Sequence, residues 1–247
     1  AIDPVGEEER HKNLEMGTRA HDDPDVDSVA WITGRPIMGK LVFDAMRAID
    51  YLVVRDDVDP NRIGVAGNSL GGATAGWLAA LDPRLHCAVV SGWAFAPATE
   101  IYGKNCTRIP NEKMLERLEW HEYLSLAAPH CSMIITNGDA DIVIDQDSSG
   151  NAWRDTDRAI KKARNVYLTL GNPGGISRWY QPGGGHRPYP AHPEVLGWLV
   201  EQMAPFGWTV RKTSQLPMIR FDAWAGKNGF RFEKVLRYHE LYATELH

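Results

Sequence analysis

An α/β architecture, with a mostly parallel sheet and helices on both of its faces, is the fold class this sequence predicts. Three observations predict it. Short apolar runs bounded by Gly, Pro, Asn or Asp recur at 61–66, 85–90, 131–136 and 166–170, as strands buried on both faces do. Stretches with helical spacing lie between these runs, and strands alternating with helices build parallel sheets. A chain of 247 residues that is 43% hydrophobic and 24% charged is long enough to bury a sizeable core as one large domain.

The elements follow in order. Residues 1–10 read as the end of a strand running into a loop, and 11–34, polar and rich in Asp and Gly, as a surface loop. Residues 36–55 place Ile37, Met38, Leu41, Val42, Met46, Ile49, Leu52 and Val53 at the i, i+3, i+4, i+7 spacing of an amphipathic helix. Residues 56–60 end it and lead into the strand at 61–66. Small residues at 72–80 start the next helix, and Asp82-Pro83-Arg84 makes a turn before the strand at 85–90. Residues 92–110 are irregular, 112–126 have a helical pattern, and 131–136 form the third strand. A helix is expected over 150–163, its basic end at Arg158, Lys161, Lys162 and Arg164 suiting the helix dipole. The fourth strand is expected at 166–170, a Gly/Pro loop at 171–186 and a closing helix at 193–203. Residues 207–247 show no clear period, so the expected organisation is a main domain over 1–206 and a C-terminal extension.

Composition excludes several functions. A net charge of −5 without a basic run speaks against nucleic acid. No window approaches the roughly 18–20 apolar residues of a membrane span, and the first residues given are not expected to act as a signal peptide. Cys87, Cys106 and Cys131 are neither a metal set nor a disulfide framework. Cys106 and Cys131 are the one pair whose context allows a bridge; three free or buried thiols are the expectation.

The chemistry gathers at Gly67-Asn68-Ser69-Leu70-Gly71, which fits G-x-S-x-G between a strand and a helix. That context makes the pattern a nucleophile elbow, with Ser69 in a strained turn at the strand's C-terminal end. Side chains two residues before and after Ser69 are expected to collide with the neighbouring strand and helix, which explains Gly67 and Gly71. A plain Gly-rich turn or a phosphate cradle is the bland alternative. A Ser nucleophile needs a base, and the base needs an acceptor that fixes its tautomer. In a parallel sheet these meet only in loops at strand C-terminal ends. One acidic loop, Gly138-Asp139-Ala140-Asp141, and one His loop, ending Gly183-Gly184-Gly185-His186, are in such places. Asp141 is favoured as the acid over Asp139, Asp145 and Asp147, and His186 as the base over His192 and His121. The Leu70 N–H, next after the nucleophile, is the expected oxyanion donor.

These residues resemble the α/β-hydrolase superfamily, in the branch of acetyl xylan esterases, dienelactone hydrolases and prolyl-oligopeptidase-like enzymes. The resemblance runs from about 1 to 203. It rests on Ile2-Asp3-Pro4-Val5-Gly6-Glu7, on 57–64 before the elbow, on Gly67-Asn68-Ser69-Leu70-Gly71-Gly72, on Asn137-Gly138-Asp139-Ala140-Asp141 and on Gly185-His186. It implies Ser69 as nucleophile, Asp141 as acid, His186 as base and Leu70 as oxyanion donor, with no metal and no organic cofactor. It also implies several strands before the position of Ala1, including one whose loop completes the oxyanion hole, so a piece of a longer hydrolase is expected. The activity implied is hydrolysis of a carboxylic ester of a small molecule or carbohydrate, acetyl esters among them. A prolyl-oligopeptidase-like peptidase and a catalytically dead scaffold are the alternatives. Trp93, Phe95 and Tyr102 fall where such enzymes shape the substrate cleft, and core packing is their other reading.

Overall fold

Four short runs form a four-stranded sheet: β1 (Ile63–Asn68), β2 (Leu85–Ser91), β3 (Ser132–Gly138) and β4 (Ile176–Gln181). The computed structural model describes residues 33–34, 37–93, 117–145, 150–189 and 192–203. Phe95, Tyr102, Cys106, Asp147, residues 1–10, almost all of the expected loop at 11–34 and the extension at 207–247 lie outside the described residues.

The strands are all parallel and lie in sequence order, β1-β2-β3-β4. Parallel pairing brings every strand's C-terminal end to one edge of the sheet. Asn68 pairs with Ser91, Ser91 with Thr136, and Thr136 with Trp179. The loops that follow β1, β2, β3 and β4 therefore leave from the same side, and those after β1, β3 and β4 hold the candidate residues Ser69, Asp141 and His186.

Alternation along the central strands divides the core in two. Ala88 and Val90 of β2, with Met133 and Ile135 of β3, join the larger cluster with α1 (Ile37–Leu52), α2 (Leu70–Leu81), α3 (Trp120–Ser125) and α4 (Asn151–Thr169). Val89 and Ile134 point the other way and meet Val195 of α5 (Pro193–Met203). Helices thus cover both faces, as a parallel sheet requires. In α1 the buried residues are Ile37, Met38, Leu41, Val42 and Ile49, the apolar stripe read from the sequence.

The fourth strand departs from the sequence expectation. Residues 166–170 are not a strand; 166–169 complete α4, which runs on to Thr169. One face of that run is buried and the other is not. Tyr167 is fully buried and donates its hydroxyl to the Cys131 carbonyl at 3.1 Å, whereas Leu168 and Leu170 stay exposed. Tyr167 continues the line Thr156, Ile160, Ala163, which is a helical face. Arg158, Lys161, Lys162 and Arg164 consequently sit inside α4, not at its end, and they do not answer its dipole. Arg158 pairs with Asp155, and Lys162 with Glu119 at 3.1 Å. The strand that takes the fourth place, Ile176-Ser177-Arg178-Trp179-Tyr180-Gln181, falls within the expected loop. One smaller difference lies in the expected helix at 112–126: of its described part, 117–119 are not helical, and α3 spans Trp120–Ser125, started by a reciprocal Glu119–Glu122 capping box. Cys87 and Cys131 are both free and buried, as expected, and burial pushes the Cys87 thiol up to about 11.

Candidate active site

Ser69 occupies the one-residue turn between β1 and α2 with φ 56° and ψ −117°, the one positive φ at a non-glycine among the described residues. Holding a serine there costs about 1–3 kcal/mol. Two backbone bonds brace it: Ser69 N–H donates to Ser91 O of β2 at 2.9 Å, and Ser69 O accepts from Ala73 N–H at 2.9 Å.

The turn is possible because backbone meets backbone. A Cβ on Gly67 would lie 2.0 Å from the Gly71 carbonyl oxygen, and one on Gly72 would lie 2.2 Å from Ser91 O. The expectation that Gly71 avoids a clash is corrected: a Cβ there meets nothing within 4 Å. The residue that must lack a side chain after Ser69 is Gly72, which sits against β2, and Gly71 contributes the carbonyl that Gly67 must clear. Leu70 opens α2, so its N–H stands at the helix N-terminus beside Ser69, where no earlier turn supplies an acceptor.

The acidic loop follows β3. Asp141 is 1% exposed, and each carboxylate oxygen is engaged. Oδ1 accepts from the Val143 and Ile144 N–H groups at 2.9 and 3.3 Å, and Oδ2 lies 2.7 Å from His186 Nδ1. Such bonding satisfies the acceptor oxygens of a buried carboxyl group. A carboxylate oxygen only accepts, so Nδ1 carries a hydrogen, and in the neutral ring that leaves the lone pair on Nε2. Asp139 points elsewhere and accepts from Gly183 N–H at 2.6 Å. It anchors the His loop without touching the imidazole. Asp145 accepts from Gly150 N–H at 2.7 Å, His192 is 2.5 Å from Glu194, and His121 is 3.0 Å from Glu119.

The two loops touch at another pair of glycines. A Cβ on Gly138 would lie 1.9 Å from Gly184 O, and the Ala140 N–H donates to that oxygen at 3.0 Å. The His loop is brought to the Ser69 turn at Gly92, whose φ is 59°. The point where its Cβ would stand is 3.0 Å from His186 Cε1, 3.2 Å from Ser69 N and 2.6 Å from Asn68 Oδ1. Imidazole, the Ser69 turn and the end of β2 therefore meet around one glycine, and a side chain at position 92 would press on both the His186 ring and the Ser69 backbone.

Trp93 is 2% exposed and packs edge-on against Trp120 and Tyr123, with centroids 5.5 and 5.1 Å away. Its described contacts are those of core packing. Sequence reasoning passed over Ser91, Gly92 and Tyr189, which organise the site. The Ser-Gly pair closing the β2 run was the available signal for the first two. Among the described residues, no three His, Cys, Asp or Glu side chains gather as a metal site, and no helix is long and apolar enough to cross a membrane.

A parallel sheet with a strained Ser turn after one strand and acidic and His loops after two others is the architecture of the α/β-hydrolases, and the chain has that fold. Residues 37–155 match the prolyl oligopeptidase family. Over 58 residues the chain is 45% identical to YtaP of Bacillus subtilis (strain 168), a protein named as a candidate hydrolase; the match covers 24% of this chain and 19% of that protein. Two similar solved structures are a carbohydrate esterase family 15 glucuronoyl esterase from Caldicellulosiruptor kristjansonii and the catalytic domain of a glucuronoyl esterase from Hypocrea jecorina. The first has a TM-score of 0.54 at 19% identity, over 76% of this chain and 56% of its own. The second has 0.53 at 17% identity, over 68% and 52%. The chain spans about half the length of these structures and about a fifth of the curated relative.

Proposed function

We propose that the chain carries the catalytic residues of a serine hydrolase that cleaves carboxylic esters. The observation that carries this reading is the 2.7 Å pair of the buried Asp141 with the half-buried His186, beside a serine held at positive φ. Ser69 Oγ attacks the ester carbonyl while its proton passes to His186 Nε2. Asp141 holds the imidazole in the Nδ1–H tautomer and stabilises the imidazolium. The negative oxygen of the tetrahedral intermediate is met by the Leu70 N–H at the start of α2. The intermediate collapses to an acyl-enzyme as His186 returns the proton to the leaving alcohol. Water, deprotonated by His186, then attacks the acyl-enzyme and releases the acid and free Ser69. None of these steps calls on a metal or organic cofactor.

The narrower form of the reading, an acetyl ester of a carbohydrate, rests on family resemblance alone. A second reading, a peptidase, is favoured by the match of residues 37–155 to the prolyl oligopeptidase family. The two share the same three residues and differ in leaving group. Hydrolysis of p-nitrophenyl acetate and of a prolyl-p-nitroanilide peptide, each by wild type and Ser69→Ala, tests both. The ester reading expects turnover of the acetate that is lost in Ser69→Ala, with the anilide cleaved far more slowly. Faster Ser69-dependent cleavage of the anilide would turn the assignment to the peptidase.

A further inference from the structure

The carbonyls on either side of His186 are each held by a buried hydroxyl. Tyr189 Oη donates to Gly185 O at 2.7 Å, and Ser91 Oγ donates to Arg187 O at 3.3 Å. Ser91 Oγ also accepts from the Tyr189 backbone N–H at 3.3 Å. Ser91 is 0% exposed and Tyr189 4%. The same Ser91 receives the Ser69 N–H on its own carbonyl at 2.9 Å. One residue at the end of β2 thus bonds to the turn of the nucleophile through its backbone and to the loop of the base through its side chain.

The His loop needs such a hold. It is built on Gly183-Gly184-Gly185, the first of these at φ 64°, and a Cβ on Gly183 or Gly185 would meet nothing within 4 Å. A triple-glycine approach has little stiffness of its own. Proton transfer, by contrast, tolerates little displacement: an error of about 1 Å costs roughly a hundredfold in rate. Satisfying the buried Tyr189 hydroxyl would need only one acceptor anywhere; this one is the carbonyl next to His186. We infer that Ser91 and Tyr189 are positioning residues that fix the His186 loop against the Ser69 turn. The inference rests on the serine-hydrolase reading for its kinetic consequence, but not for its geometry.

The test uses the whole chain with Ser91→Ala, Tyr189→Phe and the double variant. Tyr189→Phe removes only the hydroxyl and leaves the ring against Trp179, 5.5 Å away, so it decides the matter if Ser91→Ala fails to fold. Each variant is expected to lower kcat for p-nitrophenyl acetate about tenfold or more with KM nearly unchanged. The rate of Ser69 labelling by a fluorophosphonate should fall in step. A readout that needs no turnover is the downfield proton resonance of His186 Nδ1–H, assigned by its loss in His186→Gln. It should broaden or exchange faster with solvent in both variants. Folded variants with an unchanged resonance and unchanged labelling rate would overturn the inference. If wild type itself is not labelled at Ser69, the hydrolase reading fails, and the resonance alone then decides whether the two hydroxyls hold the loop.

Discussion

Gly67 and Gly71 stand at equal distances from Ser69 in sequence, yet only one of them is sterically bound to be glycine. Gly67→Ala drives a Cβ into the Gly71 carbonyl, backbone against backbone with no rotamer to escape to. It should cost roughly 3 kcal/mol and disturb the Ser69 turn. Gly71→Ala enters open space at a helical position, so its stability should lie within about 1 kcal/mol of wild type, on the favourable side. Chemical denaturation of the two variants checks the contrast. The G-x-S-x-G pattern gave both glycines the same standing because it records spacing and not what stands opposite each one. The acids separate in the same way. Asp141→Asn should lower kcat by about 10⁴, because the amide presents the wrong partner to Nδ1–H. Asp139→Asn keeps an oxygen for the Gly183 N–H and should leave kcat/KM within about threefold. Measuring both on one ester substrate checks the choice, which the sequence left to the position of an acid within its loop.

At the scale of elements, α2 shows how a helix is anchored at the end away from the site. Asp82, 1% exposed, ends it and takes three bonds from Arg84: the backbone N–H at 3.1 Å, Nε at 2.8 Å and Nη2 at 2.5 Å. Arg84 Nη1 reaches Asp50 of α1 at 2.6 Å, so one guanidinium joins two helices. The hydrogen bonds from Arg84 hold the Asp82 carboxyl below the usual carboxylate range. A carboxyl depressed in the folded state stabilises at pH above its unfolded value, near 3.9, and that contribution fades as pH falls towards the folded value. Asp82→Asn should therefore cost about 1.5–3 kcal/mol at pH 7. The difference from wild type should shrink steadily below about pH 4. Urea midpoints taken across pH 3–7 check both size and sign.

Elements were legible where one pattern ruled. Helix α1 shows an unbroken apolar stripe, and α5 lies over 193–203 as its spacing indicates. The stretch 166–170 failed because five residues cannot distinguish a strand from the last turn of a helix; Tyr167 reaching Cys131 decides it, and Cys131 lies far away in sequence. Strand β4 was hidden because Ser177, Arg178 and Gln181 dilute its apolar residues. It holds its place by pairing with β3, which a local pattern does not record.

For the whole molecule, the parallel sheet and its common C-terminal edge were readable from alternation of runs, and that edge explains why Ser69, Asp141 and His186 converge from 45 residues apart and more. What the sequence did not offer was the means of convergence: Gly138 against Gly184, Gly92 beneath the imidazole, and Ser91 bonded to both sides. These are contacts between loops, invisible until the strands are laid side by side. The central claim is that this edge holds a working nucleophile. Treating the chain with a serine-reactive fluorophosphonate and locating the adduct by mass spectrometry tests it most directly. The expected result is a single adduct on Ser69, abolished in Ser69→Ala and strongly slowed in His186→Gln. A folded chain that takes up no label, or takes it up equally in Ser69→Ala, would contradict it.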